Sequence, residues 1–189
     1  MVMGTACFGL AAVTATVNDV DAVISSVDYR LAPENHGSVL VEDCYAALLW
    51  VSGHSSKLGL DKKCLMVAGV SAGGGLAAGT ALLARDRKGP AACAQLLLCP
   101  MLNDRLNTQH CNSRARAVSI QLGADTLGRV SPGEKTGTDS VSSLWESGIR
   151  ADFNIWGGGC HIFDLFEAPT ALGAMSSRTR GEWINKTVS

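Results

Sequence analysis

Charge is what this sequence has least of. Asp, Glu, Lys and Arg make up 17% of its 189 residues, against roughly a quarter in an ordinary globular chain, while hydrophobic residues reach 47%. Segments so short of charge tend to be buried on more than one side, which points to a layered α/β protein. No basic block exceeds Arg85 to Lys88, itself interrupted by Asp86, and the net charge is −1. Nucleic acid is therefore not an expected partner, and Arg114 with Arg116 reads as part of a solvated loop. C-x-x-C spacing is also absent. The seven cysteines (Cys7, Cys44, Cys64, Cys93, Cys99, Cys111, Cys160) are odd in number and scattered through apolar segments, as reduced, buried thiols of a cytoplasmic protein would be. His110–Cys111 and Cys160–His161 lack the repeated ligand spacing of a zinc site, so neither metal nor cofactor is expected. The apolar N-terminus has no positively charged leader region, and no run reaches membrane-spanning length, so no membrane partner is expected either.

What is present is alternation of strand-like and helix-like segments. Residues 5–17 read as a helix, "DAVISSVDY" as a strand, residues 39–52 as a helix stopped by Gly53, and "CLMVAGV" as a second strand. "GGLAAGTALLARDR" is helical and closed by Gly89 and Pro90, and "AQLLLCPML" is a third strand. A polar stretch from Asn103 to Arg116 follows, then a strand "AVSIQLGAD" and a loop "GRVSPGEKTGTD" rich in turn residues. A helix near "SVSSLWESGI", a strand "ADFNIW" and a helix ending near Lys186 complete the chain. Strands separated by such helices imply a mainly parallel sheet with working residues at its carboxyl end. Length, and the lack of repeats or linkers, suggest a single domain over residues 1–189.

Gly69-Val70-Ser71-Ala72-Gly73 matches G-x-S-x-G between an expected strand and an expected helix. Small neighbours let a serine occupy a strained turn with its hydroxyl exposed at a helix N-terminus. A merely structural serine turn and a phosphate cradle compete with this reading, because Gly73 to Ala78 also fits G-x-G-x-x-A. Yet residues 91–101 offer no carboxylate for a ribose, and no Lys-Ser or Lys-Thr follows the glycines, as a P-loop would need. A serine nucleophile needs a base and an orienting acid, in the order acid then histidine. Asp125 ends one strand-like run and His161 follows another. His36, His54 and His110 fall in or beside turns and polar segments. The bland alternatives are a turn-capping Asp125 and an ordinary structural His161.

The segments "VDYRLAPE" (Val27 to Glu34), "VEDCYAALLWV" (Val41 to Val51), "GVSAGGGLAA" (Gly69 to Ala78) and "GGGCHIFD" (Gly157 to Asp164) resemble the hormone-sensitive-lipase-like carboxylesterases of the α/β-hydrolase fold. The resemblance implies a serine esterase for short or medium acyl esters, with Ser71 as nucleophile, His161 as base, Asp125 as orienting acid and the Ala72 N–H as oxyanion donor. The family often has Asp where Val70 stands and Gly where Ile162 stands, and a short acidic segment where "GRVSPGEKTGTD" stands. It also implies a His-Gly-Gly-Gly loop upstream of a segment like "VMGT", preceded by a strand and a cap. The expectation is therefore a partial α/β-hydrolase fold lacking those N-terminal parts, short of at least one oxyanion donor, at a cost of about 10² to 10³ in turnover. Either "DAVISSVDY" then pairs directly with "CLMVAGV", or an apolar gap persists and the chain is unstable or self-associates through exposed sheet or pocket surface. A catalytically silent fragment or ligand-binding module of the same family is the alternative function.

Overall fold

The computed structural model describes residues 2–17, 20–102, 118–124, 142, 144–146, 149–157, 161–166 and 170–188. Its centre is strand β2 (Ala94–Leu98), whose five residues are all buried. A strand buried at every position, Gln95 included, needs cover on both faces. Leu97 packs with Ala77 and Leu144 on one side, while Ala94, Leu96 and Leu98 pack with Trp183 and Ile184 on the other. The first face carries helices α2 (Val39–Leu58) and α3 (Ala72–Asp86), which also pack on each other. The second carries α1 (Leu10–Val17) and α5 (Ala171–Val188), with the short helix α4 (Phe163–Phe166) against α5. The architecture is thus α/β, a sheet between helical layers.

The sheet runs β1 (Met66–Val70), β2, β3 (Val118–Ala124), β4 (Ala151–Gly157) in spatial order. β1 and β2 are parallel, with Val70 opposite Leu98. β2–β3 and β3–β4 are antiparallel, whereas a mainly parallel sheet was expected. A parallel return needs a crossover of a dozen or more residues, usually a helix. The polar run from Asn103 to Arg116 has no helical pattern to supply one.

Three other expectations change. "DAVISSVDY" joins no sheet among the described residues: β1 is an edge strand, and the run has no ladder partner. β-branched composition makes a strand possible, but only pairing makes one. Gly53 does not stop α2. The helix continues to Leu58 and ends at Gly59, whose left-handed φ of 69° glycine tolerates freely, with its N–H bonded to the Ser55 carbonyl. Burial of the thiols is also uneven. Cys99 is buried, Cys44 and Cys93 are half-buried, Cys7 is exposed in a turn and Cys64 is exposed at the end of a short 3-10 helix (Lys62–Cys64); none of these five is in a disulfide. Cys111 and Cys160 lie outside the described residues. Burial pushes the Cys44 thiol up to about 11, so it stays protonated and inert.

The segment "VDYRLAPE" is tied to α2 by a fork. Arg30 donates from Nε and Nη2 to the Asp43 carboxylate at 2.9 and 2.6 Å, and its backbone N–H adds a third bond at 3.0 Å. These bonds hold the Asp43 carboxyl down at about 2. Glu42, one position earlier on α2, pairs with Arg87 at the end of α3. Two segments that resembled one family in sequence are therefore joined in space.

Candidate active site

Ser71 alone joins β1 to α3. Its backbone stands at φ 54°, ψ −117°, a conformation that costs a non-glycine residue about 1–3 kcal/mol and persists only when its surroundings impose it. The exit of β2 does so. The Ser71 N–H donates to the Leu98 carbonyl at 2.8 Å, and the Ser71 carbonyl accepts from the N–H groups of Met101 at 3.0 Å and Gly75 at 3.2 Å.

Glycines make this turn possible, though not all for one reason. A Cβ on Gly69 would lie 2.1 Å from the Gly73 carbonyl oxygen, a contact nothing flexible can relieve. A Cβ on Gly74 would meet Pro100 at 2.9 Å, so this glycine lets α3 approach the end of β2. A Cβ on Gly73, the second glycine of G-x-S-x-G, would meet nothing within 4 Å. The surplus glycine at 74 thus serves helix–strand packing, a use that needs no phosphate.

Ninety residues further on, His161 reaches the same place. It follows β4 in a turn, and its Nε2 lies 2.8 Å from Ser71 Oγ. With the ring proton on Nδ1, Nε2 accepts the serine hydroxyl's hydrogen bond, the geometry required of a general base. His161 is exposed and Ser71 half-buried, so a ligand from solvent can reach the pair. Ala72 opens α3, where backbone N–H groups have no intrahelical acceptor.

Asp125 lies outside the described residues. The strand before it is described: Ala124 pairs with Gln95 and Ala151. Those residues lie at the start of β2 and β4, whereas at the other ends Leu98 is hydrogen-bonded to Ser71 and Gly157 is four residues before His161. Antiparallel β3 therefore delivers its carboxyl end away from the serine, against the expectation from a parallel sheet.

Sequence reasoning missed a buried group behind His161. Asp164 accepts from Arg180 Nη1 and, at 3.2 Å, from Ser176 Oγ, and all three are buried. Ser176 and Arg180 stand four apart, a spacing that solvated helix faces share.

The sequence pattern of the alpha/beta hydrolase fold family matches residues 1–147, more than half of the chain. The chain belongs to that family. This alpha/beta hydrolase is 46% identical over 71 residues to an arylesterase of Saccharolobus solfataricus, covering 38% of this chain and 23% of that protein. It is 49% identical over 80 residues to esterase LipI of Mycobacterium tuberculosis, covering 42% and 25%. The matched stretches thus span about a quarter of those relatives. Among solved structures, the chain superposes on esterase LipW from Mycobacterium marinum with a TM-score of 0.78 at 25% identity, covering 98% of this chain and 69% of that one. A bacterial heroin esterase gives 0.81 at 24% identity over 100% and 72%, a likeness of fold.

Proposed function

We propose that this alpha/beta hydrolase is a serine carboxylic-ester hydrolase acting on short or medium acyl esters. The hydrogen bond between Ser71 Oγ and His161 Nε2 at a strained strand-to-helix turn carries the reading, and the names of its relatives, arylesterase and esterase, support the substrate class. As Ser71 Oγ attacks the ester carbonyl carbon, His161 Nε2 takes its proton, and the carbonyl oxygen becomes an oxyanion facing the Ala72 N–H. Collapse expels the alcohol, which takes the proton from His161, and leaves an acyl group on Ser71. Water attacks that acyl group in turn, with His161 again as base, and the acid departs. Asp125 is assigned the role of orienting acid on chain order and family resemblance, against the register of β3.

Hydrolysis of p-nitrophenyl acetate and butyrate by the chain, compared with Ser71→Ala, tests the proposal. Release of nitrophenol that the variant abolishes supports it; equal release from both removes it. A second reading, a silent ligand-binding member of the family, is favoured by the β3 register, and would show ester binding without turnover.

The lack of a disulfide among the five described cysteines supports a reducing compartment, the cytoplasm. No helix among the described residues is long and apolar enough to cross a membrane. With β1 an edge strand and Phe8 and Val23 exposed, we also propose association between copies, which sedimentation at rising concentration tests.

A further inference from the structure

His161 stands on a turn that local structure cannot hold. β4 has ended, Ile162 is at φ 55°, and α4 spans four residues, too few for a helix to be stable by itself. A β-branched residue in the left-handed region is strained, and relaxation there would rotate the His161 ring away from Ser71. Two groups on α4 oppose that. Phe163 is fully buried. The Asp164 carboxylate, in a residue only 5% exposed, is held by Arg180 and Ser176 of α5, themselves 3% and 0% exposed.

A buried ion pair is a poor source of stability, because well-packed apolar residues of similar volume often do as well or better. Nor do the described residues satisfy this one fully, since among them Arg180 Nε is buried without a hydrogen-bond partner. What charge-assisted hydrogen bonds supply is direction, fixing distance and angle where apolar surfaces can slide. We infer that Asp164, gripped by Arg180 and Ser176, is a positioning residue that keeps His161 Nε2 within hydrogen-bonding distance of Ser71 Oγ. It acts through the turn and touches no substrate. Its effect on catalysis rests on the proposed roles of Ser71 and His161, but the position of the ring can be read without turnover.

Three variants of the full chain test this. Asp164→Asn keeps the volume and removes the charge, Arg180→Lys keeps the charge and removes the planar guanidinium, and Asp164→Leu combined with Arg180→Met replaces the pair by apolar packing. The readouts are the His161 ring ¹⁵N shifts, with Ser71→Ala defining the value without the serine hydrogen bond, and kcat and KM for a p-nitrophenyl ester, all taken below each melting temperature. In each variant the Nε2 shift should move to the Ser71→Ala value and kcat should fall roughly 10- to 100-fold, with KM unchanged within about twofold. The double variant decides most, because it should melt no lower than the parent and still lose both signals. A folded double variant with the parental Nε2 shift and kcat overturns the inference, for the pair is then a replaceable packing element. Should Asp164→Asn not fold, Arg180→Lys and the double variant carry the same comparison. A parent chain with the Ser71-dependent shift but no ester hydrolysis removes the functional reading and leaves this one standing. A parent without that shift overturns this one directly.

Discussion

Ser71 and His161 meet at 2.8 Å, but the two arms that bring them together are built on different principles. The serine arm is local: within seven residues, β1 stops, Ser71 turns and α3 begins. Steric exclusion at Gly69 and Gly74 and backbone hydrogen bonds to the exit of β2 fix the geometry. The histidine arm is borrowed. Its turn carries a strained isoleucine, its helix is one turn long, and its anchorage comes from a buried charge pair to another helix, α5. Sequence spells out the first kind of construction and hides the second, because glycines at fixed spacing are a pattern whereas an Asp–Arg contact sixteen residues apart is not.

The largest effect should come from removing the nucleophile. Ser71→Ala is expected to lower kcat by about 10⁶ while changing the urea midpoint little, as measured by ester hydrolysis beside equilibrium unfolding. If the serine arm is sterically dictated, Gly69→Ala should cost on the order of 4 kcal/mol in urea denaturation and Gly74→Ala about 2 kcal/mol, while Gly73→Ala should stay within about 1 kcal/mol. Equal costs at all three positions would break the steric account of the elbow. On the histidine arm, Ile162→Gly should relieve the left-handed strain and stabilise by about 1 kcal/mol, seen as a raised melting temperature. A drop instead would mean that the isoleucine side chain matters more than its backbone.

The smallest effect concerns the pair Arg30–Asp43, which is partly exposed. Because the Asp43 carboxyl is held at about 2, below its unfolded value, its contribution is fully present above about pH 4 and is lost as pH falls through 2. Asp43→Asn should therefore be less stable than the parent by under about 1 kcal/mol at pH 6, and most of that difference should be gone at about pH 2. Unfolding curves at both pH values check this. A gap that widens on acidification would place the shift elsewhere.

Much of the fold could be read in advance where one short segment carries its own reason. β1, α3 and β2 follow from apolar runs bounded by turn residues, and Ser71 and His161 from their places at strand ends. "DAVISSVDY" misled because a strand is a pairing, and its composition says nothing about whether a neighbour is there. Gly53 misled because tertiary packing of α2 on α3 outweighs the roughly 1 kcal/mol cost of one helical glycine. The direction of β3 was hidden because it depends on the connection from Asn103 to Arg116, where no periodicity exists to read. Asp164 was hidden because a charged residue beside a candidate histidine reads as solvated until its partner on α5 is known.

The claim that matters most is that the two arms form one working pair, and the rate at which a fluorophosphonate labels Ser71 measures it directly. The parent chain should be labelled at Ser71, and His161→Gln should lose about 10²-fold or more of that rate, with both proteins folded. Labelling at the same rate in both, or none in a folded parent, would contradict it.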